Sequence, residues 1–216
     1  MKRVIAVLLF IMISMTPAAS GAWDGWSFQL LGGVPFSFTT PLKITQSGQS
    51  DIKGNARYKS KPFESPFYYA VRVGTWQGDR AWEVELVHNK LYLDNPPPEV
   101  QGFSITHGFN MLTVNRAWDR GALIYRLGAG VVVTHPENTV RGRKHPEDGG
   151  ILGGGYYISG PTAQAAVEKR FAVWRELTGA LEGKVTASWA RVPVEGGHAD
   201  VPNVAVHGLF GLGYGR

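Results

Sequence analysis

The chain has no cysteine, which excludes a disulfide framework and a thiolate metal centre and is compatible with an oxidising compartment. Beyond residue 22 no stretch approaches the ~18 consecutive apolar residues of a membrane-spanning helix. Charge is sparse, at 18% of residues with a net +5 that falls to +3 without Lys2 and Arg3. No dense Lys/Arg patch is present, so nucleic acid is not an expected partner. There is no internal repeat and no low-complexity linker. Gly149-Gly150 and Gly153-Gly154-Gly155 read as loop, because no phosphate-cradling glycine motif follows a strand and opens a helix.

What is present begins with Lys2 and Arg3, an apolar run from Val4 to Met15, then Pro17 and the small residues Ala18, Ala19, Ser20 and Ala22. This pattern is expected to be a cleaved signal peptide over residues 1–22, leaving a single domain over 23–216.

That domain resolves into eight strand-like segments: Trp26–Val34, Phe67–Thr75, Ala81–Leu93, Ser104–Ala117, Ala122–Thr134, Tyr156–Val173, Thr178–Val192 and Asn203–Tyr214. Long gaps near 35–66, 94–103, 135–155 and 193–202 alternate with tight turns at Gln77–Arg80, Asp119–Gly121 and around Arg175-Glu176. Alternating long and short connections over an even strand number are the pattern of an all-β, eight-stranded, antiparallel, transmembrane up-and-down β-barrel; an open sheet could not satisfy its edges in lipid. Trp23, Trp26, Trp76, Trp82, Trp118 and Trp174 fall at short-turn ends, and Phe36, Phe38, Phe63, Phe67, Tyr92, Phe103, Tyr156 and Tyr157 at the opposite ends. Two aromatic girdles at the membrane boundaries would explain that segregation; a soluble β core explains only the composition.

Alternation is clearest in the fifth segment, with Leu123, Tyr125, Leu127, Ala129, Val131 and Val133 on one face and Ile124, Arg126, Gly128 and Gly130 on the other. Carried round the barrel, it directs Arg72, Glu83, Glu85, Arg126, Glu168, Arg170, Glu182 and Lys184 inward. In so narrow a lumen these residues are expected to pair as an ion network that plugs the barrel, rather than to form an ion path. Thr162–Leu181 also satisfies helical spacing, but a helix there would leave an odd strand number, so strand is expected.

In this arrangement the chain resembles the small eight-stranded outer-membrane proteins: the OmpA transmembrane domain, OmpX, and the barrels that trim or acylate lipid A. The resemblance covers 23–216 and lies in alternating faces and loop parity. It implies residence in the bacterial outer membrane as a monomer, lipid and lipopolysaccharide as neighbours, and insertion by the barrel-assembly machinery. Such chains usually end on an aromatic residue, whereas here Tyr214 is followed by Gly215 and Arg216.

The His-x-Ser pair of the lipid A deacylase family PagL follows none of the six histidines. Ser104 and His107 are the nearest hydroxyl–imidazole candidates for acyl-ester catalysis, although i and i+3 in a regular strand face opposite ways. His135, Glu137, His145, Glu147 and Asp148 are expected to be solvated residues of one loop, and neither metal nor cofactor is expected. Lys43, Lys53, Arg57, Lys59, Lys61, Arg141, Arg143 and Lys144 form basic loops suited to lipopolysaccharide phosphates. The leading expectation is a non-catalytic outer-membrane barrel with a structural or surface-interaction role. The alternatives are a lipid A acyl-ester hydrolase and a soluble, lipocalin-like periplasmic ligand binder.

Overall fold

A computed structural model describes residues 23–215; the expected signal peptide over 1–22 lies outside the described residues. The strands are β1 (Trp23–Ser37), β2 (Thr40–Gln46), β3 (Ile52–Ala56), β4 (Tyr58–Lys59), β5 (Tyr69–Gly78), β6 (Arg80–Leu93), β7 (Val100–Asp119), β8 (Ile124–Val140), β9 (Arg143–Lys144), β10 (Tyr157–Trp174), β11 (Leu177–Val194) and β12 (Gly197–Tyr214). Eight of them form a closed antiparallel ring, β1-β5-β6-β7-β8-β10-β11-β12, and β12 returns to β1 from Phe28↔Tyr214 to Ser37↔Ala205. The fold is an eight-stranded up-and-down β-barrel. Thr162–Leu181 is strand, hairpin turn and strand, paired from Thr162↔Ser188 onward.

Four short strands finish the rim at the long-loop end. Where β1 leaves the ladder, Phe38 N–H donates to the Val204 carbonyl at 2.8 Å and Thr40 Oγ1 to that of Pro202 at 2.6 Å. From there β2 takes over the edge of β12 between Gly197 and Asp200, and β4 pairs with β6. The first long connection therefore stands in for the upper parts of β1 and β5 and covers backbone edges that would otherwise be open. Strand extends into two of the expected loops. The gap at 193–202 shrinks to Glu195-Gly196, since β11 and β12 stay paired up to Val194↔Gly197, and β8 runs on to Val140.

Away from irregularities such as the register shifts at Asn89/Leu91 and Ile105/Phe109, the ring strands alternate, but the polarity of their two faces exchanges part-way up. On β11, Val185 and Ala187 face out while Lys184, Thr186 and Ser188 face in; higher up, Arg191 faces out while Ala190, Val192 and Val194 are buried. β12 repeats this, with Val204, Val206, Phe210 and Leu212 outward below, and Ala199 and Val201 buried above. The upper interior is a packed apolar core that includes Ile44, Val87, Leu91, Ile105 and Phe109. At the short-turn end a smaller cluster holds Trp76, Ala81, Ala117 and Ile124.

Two expected girdle aromatics face inward instead. Phe103 belongs to the upper core. Trp76 is buried with its Nε1 donating to Ser27 Oγ at 3.2 Å, because its position on the pleat is that of Arg72 and Gly74.

Inward glycines leave volume for long lumenal side chains. A Cβ at Gly128 would overlap the Asn115 amide, whereas one at the outward Gly32 would meet nothing within 4 Å. Gly128→Val is expected to destabilise the refolded barrel by about 1–3 kcal/mol through overpacking, and Gly32→Ala to stay within about 0.5 kcal/mol of the parent, both read by reversible chemical denaturation.

Candidate functional site

Chemistry-bearing side chains gather in two places, inside the lumen and on the outward face of the wall near the long-loop end. The lumenal group is built from every ring strand except β12. Arg72 on β5 reaches Glu182 at 2.6 Å, Glu85 and Glu168 at 3.0 Å each, and Gln29 at 2.6 Å. Arg126 on β8 donates Nε and Nη2 to the two oxygens of Glu83, at 2.6 and 3.3 Å, and Nη1 to Glu182 at 3.1 Å.

Lys184 contacts Glu85 and lies 3.2 Å from Glu182, and Arg170 holds Glu168 at 2.6 Å while its guanidinium lies over the Trp76 ring. Gln164 and Asn115 donate to the second oxygen of Glu85, at 2.6 and 3.2 Å. The structure thus brings together all eight of the charged residues that alternation directs inward, four acids with four bases. Burial of such charges is tolerable only with this degree of mutual hydrogen bonding.

Above this layer, His207 is held at both nitrogens, by Tyr68 Oη and Thr186 Oγ1 at 2.9 Å each. Hydroxyl pairs Thr162–Ser188 and Thr134–Ser159, at 2.7 and 2.6 Å, come next before the apolar core begins. The lumen is therefore layered, and side chains fill it.

The candidate pair Ser104 and His107 does not meet as a nucleophile and base. Ser104 Oγ donates to the Glu137 carbonyl at 3.3 Å, while His107 Nδ1 lies 2.7 Å from Glu137 Oε1. Thr106 Oγ1 reaches that same carboxylate oxygen and lies 3.3 Å from the same imidazole nitrogen. A hydroxyl relay needs opposite ring nitrogens for hydroxyl and carboxylate, so the arrangement lacks the geometry of a triad.

The reason for this placement is a bulge. Between Ile105↔Pro136 and Phe109↔Thr134, β7 spends more residues than β8, and Gly108 sits at φ 132° with no room for a Cβ beside Asn110. The bulge throws His107 outward, opposite His135 and Glu137, which share the outward face of β8. These two are strand residues, not part of a loop with His145.

The rings of His107 and His135, and of His135 and Tyr156, have centroids 4.9 Å apart. Nearby on the wall, His88 is stacked on Tyr69 and its Nδ1 lies 2.8 Å from Asn110 Oδ1. A shallow groove runs past Pro66, Tyr69, His88, His107, Asn110 and Tyr156. Sequence reasoning missed this grouping; only the i, i+2 spacing of His135 and Glu137 was visible in advance.

Most of the basic loop residues are neutralised locally. Lys43 and Lys53 flank Asp51 at 3.3 and 3.8 Å, Lys61 pairs with Glu64 and Lys144 with Glu147 at 2.9 Å each, and Lys59 contacts Asp94. Hydrogen bonds from Thr45 and then Lys43 hold the Asp51 carboxyl below its usual pKa; one from Lys144 does the same to Glu147. Burial lowers that of His145. Arg141 donates to Gln46 and to the Ser50 carbonyl, tying the β8–β9 tip to the first long connection. Among the described residues the Arg57 and Arg143 guanidinium groups form no ion pair.

No protein-family model and no curated protein matches the chain. Among solved structures, it is similar to Neisserial surface protein A, with 10% identity, TM-score 0.41, and 88% of this chain and 97% of that one covered. It is also similar to the attachment invasion locus protein Ail of Yersinia pestis, with 8% identity, TM-score 0.39, and 88% and 99% covered. For the outer-membrane protein AlkL in lipid bilayers the values are 12% identity, TM-score 0.47, and 92% of each chain. The barrel assignment rests on the closed hydrogen-bond ladder itself.

Removing one member of the lumenal cluster strands its partners. Arg126→Met leaves Glu83 without its two-toothed donor, and is expected to cost about 3–5 kcal/mol in equilibrium unfolding of the refolded barrel. Gln49→Arg, at an exposed turn, serves as a control expected to change stability by less than about 0.5 kcal/mol.

Proposed function

We propose that the chain is an outer-membrane β-barrel that seals its own lumen, anchors in the lipid and meets lipopolysaccharide with its outer hairpins. The observation that carries this reading is the exchange of face polarity along the ring strands. Outward residues are apolar over a band that includes Phe28, Leu30, Val84, Val114, Leu127, Val185, Phe210 and Leu212. On β8 this band runs from Tyr125 to Val133, a rise of about 27 Å along the strand, or roughly 19–22 Å at the usual tilt. That suits an outer-membrane hydrocarbon layer.

A soluble barrel is wetted along its whole height and has no cause to reverse its faces, so the lipocalin-like alternative loses its support. Trp26, Trp82 and Trp174 lie exposed at one edge of the band and Phe36, Phe38, Phe63 and Phe67 at the other, where half-wet aromatics are stable. Beyond the second edge stand the basic hairpins, with Arg57 and Arg143 free for a phosphate fork. The separation of Ser104 from the His107 imidazole leaves acyl-ester hydrolysis without a favouring observation.

The test is expression of the full chain in a Gram-negative host followed by membrane fractionation. The reading expects recovery in the outer-membrane fraction, with a mobility difference between boiled and unboiled samples on a gel; recovery in the soluble periplasm without that difference would overturn it. Val114→Arg, which places a guanidinium in mid-band, is expected to cost about 2–4 kcal/mol in phospholipid vesicles. In planar bilayers the parent barrel is expected to give no steady conductance step, since Arg72, Arg126, Glu83 and Glu85 close the lumen.

A further inference from the structure

The geometry points to a divalent transition-metal site on the outward wall of the barrel, formed by His107, His135 and Glu137. One ligand atom from each residue lies within 4.8 Å of the other two. They come from two strands, and each is delivered by a separate structural cause. The period-2 pleat puts His135 and Glu137 side by side on the outward face of β8, and the β7 bulge at Gly108 turns His107 toward them.

The surroundings fit ligands more than a simple ion pair. His135 Nδ1 is buried and makes no hydrogen bond, on a ring that brings one of its nitrogens within 4.8 Å of a carboxylate oxygen and of a second imidazole nitrogen. Buried polar atoms in native proteins are nearly always partnered, and a bound cation would supply the partner. The loop opposite gives way to the His135 ring: Gly155 sits at φ 73°, and a Cβ there would fall 2.6 Å from His135 Nε2. Groups that would orient the ligands are also in place. Thr106 Oγ1 donates to the Glu137 carboxylate, Tyr156 Oη donates to the His107 carbonyl at 3.4 Å, and the Tyr156 ring packs edge-on against His135. Such outer contacts fix ring orientation in metal sites.

Two imidazoles and one carboxylate select zinc and its first-row neighbours over calcium or magnesium, which prefer oxygen ligands throughout. Bonds of roughly 2.0–2.1 Å to a tetrahedral ion set donors about 3.3 Å apart, so His107 Nδ1 and Glu137 Oε1, now 2.7 Å apart, must open slightly while the His135 nitrogen, within 4.8 Å of both residues' ligand atoms, moves in. His107, whose side chain is 58% exposed, has solvent on one side to accommodate that adjustment. Three protein ligands leave the fourth position open on the exposed side, as in catalytic rather than structural zinc centres.

The experiment uses the mature chain without a polyhistidine tag, refolded in a zwitterionic detergent, with Zn2+ titrated calorimetrically and Co2+ followed by visible absorption. The expected result is one equivalent of Zn2+ with a tetrahedral Co2+ spectrum. His107→Ala, His135→Ala and Glu137→Gln should each weaken binding at least tenfold, while His198→Ala leaves it unchanged. Unboiled gel mobility establishes that each variant is a folded barrel, and Glu137→Gln carries the test if a histidine variant does not refold. Absence of stoichiometric Zn2+ binding to the parent would overturn the site. So would parental affinity in the folded His107, His135 or Glu137 variants, or an equal loss in His198→Ala.

Discussion

Eight strands enclose a lumen too narrow to keep charged side chains hydrated, so Arg72 and Arg126 depend on four glutamates for the solvation that water would otherwise give. The dependence is mutual. Glu168 and Glu182 are direct cross-strand partners on β10 and β11, a like-charge pairing that destabilises a sheet when left alone. Here both arginines contact both carboxylates, which turns a repulsive pair into the centre of the cluster. This requirement fixes much else: the register of β5 on β6 that sets Arg72 opposite Glu85, the amides of Gln29, Asn115 and Gln164 that donate to Glu168 and Glu85, and the bare backbone at Gly128.

Above this cluster the barrel solves a different problem with the same strands. Where the outer surface is wet, the interior can be apolar and packed by the hydrophobic effect. Where the outer surface is apolar, the interior holds the polar groups. The exchange on β11 between Ser188 and Ala190 and on β12 between Asn203 and Val201 happens within one repeat of the pleat, and on the proposed membrane reading it marks where the surrounding medium changes. The upper core then supports β2, β3 and β4 and makes the long connections part of the sheet.

The closed ring, the eight strands and the lumenal residues were legible because the pleat has a period of two and most of the lower strand length keeps it. Arg126 between Ile124 and Gly128, or Glu182 and Lys184 between Leu181 and Val185, state their faces outright. The upper barrel was not legible for a physical reason. At 193–202, Pro193, Gly196, Gly197 and Pro202 carry the composition of a loop, while the inward set Val192, Val194, Ala199 and Val201 is apolar on the face that was charged lower down. A face rule carried upward therefore assigns these residues wrongly, and Phe103, placed in a girdle by its position at a strand end, belongs to this apolar interior. Trp76 was misassigned for a related reason: its position at a strand end suggested a boundary residue, but its parity is that of Arg72.

The histidine-rich patch escaped sequence reading because a bulge breaks the parity on which every face assignment depends. With a regular β7, His107 could not share the outward side with both Leu112 and Asn110 while Ile105 and Phe109 both point inward; the added residues reconcile these demands. The place where this happens is not arbitrary. Below it an outward imidazole would lie against the apolar band, and the inward positions of the upper wall are filled by packed side chains. The boundary between the two is the level at which wall residues can be polar, outward and partly covered at once. Because the lumen is filled, a ligand of His107, His135 and Glu137 has no route through the barrel. It must arrive laterally along the wall or from the loop side past Tyr156, and the bulge that creates the site thereby also decides from which direction it is reached.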